Sequence, residues 1–249
     1  MKILYGINAT GNGHISRSRI IISELKKRGH NITCLISGRS DDKIYNIEDF
    51  EPFVLKKGFT FSKKDGRIKY LQTFLNIDLI QFAKDIKSID EHYDLVITDF
   101  EPVSAYFSKI KNIPAIGIGH QYSFYKKIPM DIKMRFTRIF FPYIYTPIKN
   151  VIPSHFSHFN QRILPPFLSK KITDHKLKAN SKNSILVYLA WEELEKMIGL
   201  LNQIDKKCFI YYCDIPNEKT IKNVTLKPYS EDGFKKDLIE NKYLITNAG

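Results

Sequence analysis

The chain has 249 residues, 43% of them hydrophobic and 13% aromatic, and a formal net charge of +13. That composition excludes a disordered chain, and the length is enough for one large or two ordinary domains, each with its own core. No apolar run of roughly 18 residues is present, which excludes a membrane-spanning helix, and the basic surface favours anionic partners.

Residues 2–19, KILYGINATGNGHISRSR, organise the rest. The run Ile3, Leu4, Tyr5, Ile7 predicts a buried strand, Gly11-Asn12-Gly13 a tight turn, and His14 the opening of a helix. A strand, a glycine turn and a helix N-terminus form an anion-binding device, because the first helical N–H groups lack intrahelical partners and the dipole favours negative charge. Ser16 stands where the dinucleotide fingerprint has its third glycine, which argues against a nicotinamide cofactor. Ile15, Ile21, Ile22 and Leu25 give the helix an apolar face, Gly29 ends it, and Ile32–Ile36 predicts the next strand.

A short strand is expected around Phe53–Leu55, then an unassigned polar loop. A long helix should follow through Ile68, Leu71, Leu75, Leu79, Phe82, Ile86 and Ile89. Asp94–Thr98, Pro102–Ile110 and Pro114–Ile118 read as strand, helix and strand. This alternation predicts a parallel, doubly wound α/β sheet, with the strand order reversing beside the first strand. Residues 129–148 are apolar and aromatic with interspersed Lys and Arg, interrupted by Pro142 and Pro147. Residues 151–182, with Pro153, Pro165, Pro166 and a polar segment, predict a linker between a domain at 1–150 and another at 183–249. In the second, strands are expected at Ile185–Leu189, Cys208–Tyr212, Val224–Leu226 and Tyr243–Thr246. Helices are expected at Glu192–Ile204 and Glu231–Ile239. The cysteines Cys34, Cys208 and Cys213 show neither a disulfide framework nor metal-ligand spacing, and fit buried thiols in a reducing cytoplasm. The N-terminus has no long apolar stretch, so no signal peptide is expected.

Ligands of open α/β sheets bind outside the carboxyl ends of the strands, where the order reverses. His14 after the first strand, Asp99 and Glu101 after the fourth and His120 after the fifth then converge. An imidazole of ordinary pKa near ~6.5 takes a proton from a hydroxyl at neutral pH, and a neighbouring carboxylate orients it. Each residue has a structural alternative. His14 suits a helix cap, Asp99 and Glu101 an N-cap and first-turn charge ahead of Pro102, and His120 a cap or a core position. His155 and His158 have a spacing that suits a metal, but without a third ligand none is expected. The basic aromatic segment, with Lys126, Lys127, Lys133, Arg135 and Arg138, suits peripheral contact with an anionic membrane. No nucleic-acid motif accompanies the charge, and no nucleic-acid partner is expected.

The stretch YGINATGNGHISR at 5–17 resembles the N-terminal loop of GT-B glycosyltransferases. Within them it is similar to a microbial branch related to the UDP-N-acetylglucosamine transferase of peptidoglycan lipid synthesis and to UDP-glucuronosyltransferase-like enzymes. DLVITDFEP at 94–102, GIGHQ at 117–121, LPPFL at 164–168, SILVYL at 184–189, NVTLKPYSEDGFKKDL at 223–238 and YLITNAG at 243–249 continue the resemblance in order. It implies a GT-B-like α/β fold of two Rossmann-like domains facing across a cleft. The N-terminal domain would take a glycan or lipid-linked acceptor, and the C-terminal one a nucleotide sugar, usually UDP-linked. It further implies metal-independent, inverting transfer without a cofactor, in the cytoplasm or peripherally at the inner face of the membrane.

Carried over by position, Gly11, Asn12, Gly13, Arg17, Glu101, His120 and Gln121 would contact substrate. His14 would be the base or a diphosphate contact, with Asp99 its partner or rival, and Asn247 and Gly249 would touch the donor. In the family, Asn-Ala-Gly leads into a loop, a helix whose glutamate holds the donor ribose, and more sheet. This sequence stops at Gly249, so the second domain is expected to be incomplete. The alternative reading is a non-catalytic remnant or a binding module for anionic membrane or glycan.

Overall fold

Apolar runs too short for helices and bounded by glycine or asparagine make the strands of the first sheet. β1 (Lys2–Asn8), β2 (Asn31–Ser37) and β3 (Phe53–Lys56) precede β6 (Leu95–Asp99), β7 (Ala115–Gly119) and β8 (Asn150–Pro153). The computed structural model describes residues 1–40, 44–58, 63–64, 67–68, 78–130, 140–173, 182–189, 192–212 and 215–246. The chain divides into two units, residues 1–61 with 73–168, and residues 62–72 with 169–249.

In the first unit the strands lie in the order β3-β2-β1-β6-β7-β8, every pair parallel. The chain runs from β1 outward to β3 and resumes at β6 on the other side of β1. The order therefore reverses between β1 and β6, as the alternating pattern predicts. Register sets Ile7 beside Asp99 and Asn8 beside Ser37, which brings the carboxyl ends of β1, β2 and β6 to one level.

Both faces of the sheet are covered, as the continuous apolar strands require. Ile3, Tyr5 and Ile7 of β1 pack with Ile15 and Ile22 of α1 (Asn12–Lys27) on one face. Leu4, on the other face, packs with Phe82 and Ile86 of α2 (Leu79–Lys87) and Val103 and Phe107 of α3 (Pro102–Ile110). Truncating so deeply buried a side chain as Leu4 costs about 2–5 kcal/mol. α3 rides close on β1: a Cβ at Gly6 would lie 1.9 Å from Ser104 Oγ.

Two boundaries depart from expectation. The two-residue strands β4 (Lys63–Lys64) and β5 (Arg67–Ile68) pair as an antiparallel ladder, so Ile68 is strand and not the start of a long helix. Asp78 caps α2 instead, its Oδ1 accepting from Gln81 N–H at 2.9 Å, and the helix ends at Lys87, before Ile89. Leu71 and Leu75 lie outside the described residues. The stretch read as the start of a linker supplies β8, the sixth strand. Of the aromatic segment, residues 129–130 and 140–148 are described: Tyr145 is buried against Phe100, while Tyr143 and Ile144 are exposed. Lys133, Arg135 and Arg138 lie outside the described residues.

The second unit has β9 (Lys182–Tyr188), α4 (Leu194–Leu201), β10 (Cys208–Tyr212), β11 (Lys219–Ile221), β12 (Val224–Pro228), α5 (Glu231–Glu240) and β13 (Asn241–Thr246). Its sheet order is β11-β12-β10-β9-β13, parallel except for the edge strand β11. Val187, Met197, Leu201, Ile210, Val224 and Leu226 form its core. Ser230 caps α5 through Gly233 N–H at 3.1 Å. Asn223 Nδ2 donates into the carbonyls of Leu201, Ile204 and Lys206, tying the end of α4 to β12.

Cys34 and Cys208 are buried free thiols, and burial pushes Cys34 up to about 12. Cys213 lies outside the described residues. Among the described residues no helix is long and apolar enough to cross a membrane.

Candidate functional site

The carboxyl ends of β1, β6 and β7 carry the polar groups expected there. Asp99, the last residue of β6, has no solvent exposure. His14, in the first turn of α1, brings Nδ1 to 2.7 Å from Asp99 Oδ1. One turn on, Arg17 Nε donates to Asp99 Oδ2 at 2.8 Å and its Nη2 to Oδ1 at 2.5 Å, while Ser18 Oγ donates to Oδ2 at 3.1 Å. His14, Arg17 and Ser18 share one face of α1 because residues three and four apart are neighbours on a helix.

Burial opposes ionisation of Asp99, but the charge of Arg17, the electrostatic pull of His14 and the hydrogen bonds of both outweigh it. They hold the carboxyl below the usual carboxylate range. An ionised carboxylate only accepts hydrogen bonds, so the 2.7 Å contact places a proton on His14 Nδ1. Arg17 Nη2 is also 3.0 Å from His14 Nδ1, and since guanidinium only donates, both groups converge on the shared Oδ1. In the neutral imidazole Nε2 then carries the lone pair, and Gln121 Nε2 lies 3.2 Å from it. The Phe100 ring stacks parallel to the imidazole, with centroids 6.4 Å apart.

Gly119 makes this packing possible. At φ 131° and ψ −175° it sits where backbone is open essentially to glycine alone. A Cβ there would lie 2.8 Å from Arg17 Nη2 and 3.1 Å from Asp99 Oδ1.

The other expected residues divide. Gln121 joins the cluster. Glu101 is fully buried as the cap of α3, accepting from Val103 N–H at 2.9 Å, Ser104 N–H at 2.6 Å and Ser37 Oγ at 2.8 Å. Burial raises its pKa despite those donors. His120 stacks on His155 at 4.9 Å between centroids. Burial, then His155, lower its pKa. Gly11 precedes α1 in extended backbone and accepts from His14 N–H at 3.2 Å, so the imidazole itself caps nothing. Asn12 Oδ1 accepts from Arg39 at 2.8 Å. A Cβ at Gly13 would meet nothing within 4 Å, which leaves open space at the helix mouth. Asn247 and Gly249 lie outside the described residues. His158 Nδ1 accepts from Asn160 N–H at 3.0 Å in its own turn. Among the described residues no cluster of three His, Cys, Asp or Glu could hold a metal. Sequence reading passes over Ser18 and Gly119. The three- and four-residue spacing from His14 is the signal that would have found Ser18.

The whole chain, residues 1–249, matches the family model described as glycosyl transferase family 1. An uncharacterized glycosyltransferase of Methanosarcina acetivorans is 26% identical over 162 residues, 61% of this chain. The match spans 42% of that curated relative's length. Among solved structures, the Streptomyces sp. SF2575 glycosyltransferase SsfS6 superposes with a TM-score of 0.54 at 11% identity, covering 99% of this chain and 76% of its own. A structure of that protein complexed with thymidine diphosphate gives 0.55. Arabidopsis thaliana UGT89C1, complexed with quercetin, gives 0.52 at 8% identity, over 100% of this chain and 74% of its own. At these identities the likeness establishes a shared fold.

Proposed function

The chain belongs to glycosyl transferase family 1 and has the GT-B α/β fold, and from that premise we propose that His14 is the general base of a sugar transfer to a hydroxyl acceptor. The observation that carries this reading is the His14–Asp99 pair, with Nδ1 held 2.7 Å from a fully buried carboxylate, an arrangement that in the neutral imidazole makes Nε2 the acceptor. The acceptor hydroxyl takes the place of the Gln121 amide on Nε2 and gives its proton to that nitrogen. Its oxygen attacks the anomeric carbon of a nucleotide sugar, UDP-linked by the family resemblance. The bond from the anomeric carbon to the diphosphate oxygen breaks, its electron pair leaves with the nucleoside diphosphate, and the configuration inverts. Asp99 stabilises the imidazolium that forms, as an orienting carboxylate does in other imidazole bases. The step needs no metal. Gly13, with open space around it, leaves room for substrate at the N-terminus of α1, where partial positive charge favours a phosphate or a developing alkoxide. A glycan or lipid-linked hydroxyl is the acceptor class proposed.

The test is direct. The chain is mixed with UDP-glucose, UDP-N-acetylglucosamine or TDP-glucose and a panel of sugar and lipid-linked hydroxyl acceptors. Release of nucleoside diphosphate is followed, and the new glycoside is read by NMR. Transfer with inversion supports the proposal; transfer with retention overturns it.

A further inference from the structure

The His14–Asp99 pair does not stand alone: Asp99 is also gripped by Arg17, whose Nη2 shares Oδ1 with the imidazole. The guanidinium fork meets both carboxylate oxygens, Nε to Oδ2 at 2.8 Å and Nη2 to Oδ1 at 2.5 Å. Ser18 Oγ adds a third donor on Oδ2 at 3.1 Å. The Arg17 side chain is 13% exposed, the carboxylate not at all. Gly119 closes the floor, since its missing Cβ is the space in which Arg17 Nη2 lies. A planar bidentate grip fixes the carboxylate plane as well as its charge, which a single point charge cannot do.

From this geometry we propose that Arg17 is a positioning residue: it fixes the Asp99 carboxylate so that Oδ1 receives His14 Nδ1–H and Nε2 is the nitrogen presented to the acceptor. The inference rests on the reading of His14 as base. It also gives Arg17, which the family resemblance would make a substrate contact, a role on Asp99. Two of its five N–H donors, on Nε and Nη2, are committed to the buried carboxylate. Without the fork, Asp99 can turn about its own side-chain axis, and the imidazole distributes between its two neutral tautomers. The tautomer protonated on Nε2 has no lone pair where the hydroxyl arrives. Loss of Arg17 therefore lowers the fraction of competent enzyme and leaves substrate affinity alone, a fall in kcat at unchanged KM.

The tautomer can be read without substrate. Long-range proton–nitrogen correlation on chain labelled with 15N-histidine separates the two neutral forms. The seven histidines are sorted by the signals that vanish in His14→Gln. In wild type, on the high-pH plateau, His14 shows the form protonated on Nδ1. In Arg17→Gln the ratio shifts toward the Nε2-protonated form by about tenfold or more, the scale set by losing a charge-assisted hydrogen-bond arrangement. Added guanidinium ion restores it in part. Arg17→Lys keeps the charge but not the fork, and should shift the ratio as well. This variant carries the test if Arg17→Gln does not fold. A ratio unchanged in either folded variant overturns the proposal. Transfer kinetics separate the two claims. Undiminished transfer in His14→Ala, with the tautomer shift present, overturns the catalytic reading alone. Impaired transfer in His14→Ala, with no tautomer shift on losing Arg17, overturns the positioning role alone.

Discussion

Gly119→Ala tests the packing of the site more severely than any charge substitution, because it adds one methyl group and removes nothing. The first cost is in the backbone. At φ 131° and ψ −175° an alanine is strained by about 1–3 kcal/mol. The second is steric, since the new Cβ falls 2.8 Å from Arg17 Nη2, 3.0 Å from Cζ and 3.1 Å from Asp99 Oδ1. Arg17 must retreat from Asp99, partly opening a buried pair whose full rupture costs about 3–5 kcal/mol. Together these predict a loss of roughly 3–5 kcal/mol, a large share of the ~5–15 kcal/mol that typically holds a folded domain. Gly13→Ala is the internal control. Nothing lies within 4 Å of that Cβ and the position is helical, so it should stabilise by about 0.5–1 kcal/mol. Urea unfolding followed by far-UV circular dichroism measures both, provided the m-value is unchanged. A Gly119→Ala variant within about 0.5 kcal/mol of wild type would refute the account of how Arg17 and Asp99 are packed.

Glu101→Ala should cost about 2–4 kcal/mol, because it strips the cap from α3 and leaves the buried Val103 and Ser104 N–H groups and Ser37 Oγ without their acceptor. Full stability in that variant, with transfer lost, would instead make Glu101 a substrate contact. His120 has its folded-state pKa lowered, first by burial and then by His155, with Arg17 and His14 adding to the effect and a hydrogen bond to the Ser154 backbone carbonyl opposing it. The unfolded chain therefore binds the proton more tightly. The stability His120 contributes is full above about pH 6.5 and declines as pH falls toward the lower folded-state value. Thermal melts from about pH 8 down to about pH 5 should show wild type losing Tm faster than His120→Asn. The opposite trend would show that the imidazole is stabilised in its charged form.

Much of this architecture is legible in the sequence, for identifiable reasons. β1, β2, β6 and β7 are buried on both faces, so they read as short continuous apolar runs, and alternation with helices fixes a parallel sheet. Convergence of His14 with Asp99 follows from the order reversing beside β1, whereas Glu101 caps its own helix and His120 stacks on His155; Gln121 was indicated by the family resemblance alone. β8 was hidden because Asn150 and Pro153 carry linker signals. Its pairing with β7 comes from tertiary context, not local propensity. Ile68 continued an apolar period of three and four that no turn signal interrupts, yet it pairs with Lys63 in a short ladder. Arg17 was the least readable of the site residues. In sequence it is one more cation on a basic helix. Only the height at which β6 delivers Asp99 turns it inward to the fork. Glu101 was ambiguous for the opposite reason, since a carboxylate ahead of Pro102 fits a site and a cap equally well.

The central claim is that His14 Nε2 takes the acceptor proton, and steady-state transfer by His14→Ala beside wild type addresses it most directly. Both proteins are first shown to unfold at similar urea concentrations, so that a lost rate reports chemistry and not folding. General-base removal predicts a fall in kcat of about 10²–10⁴-fold with KM little changed. Near-normal turnover in a folded His14→Ala protein would contradict the account and leave the His14–Asp99 pair a structural feature of the helix mouth.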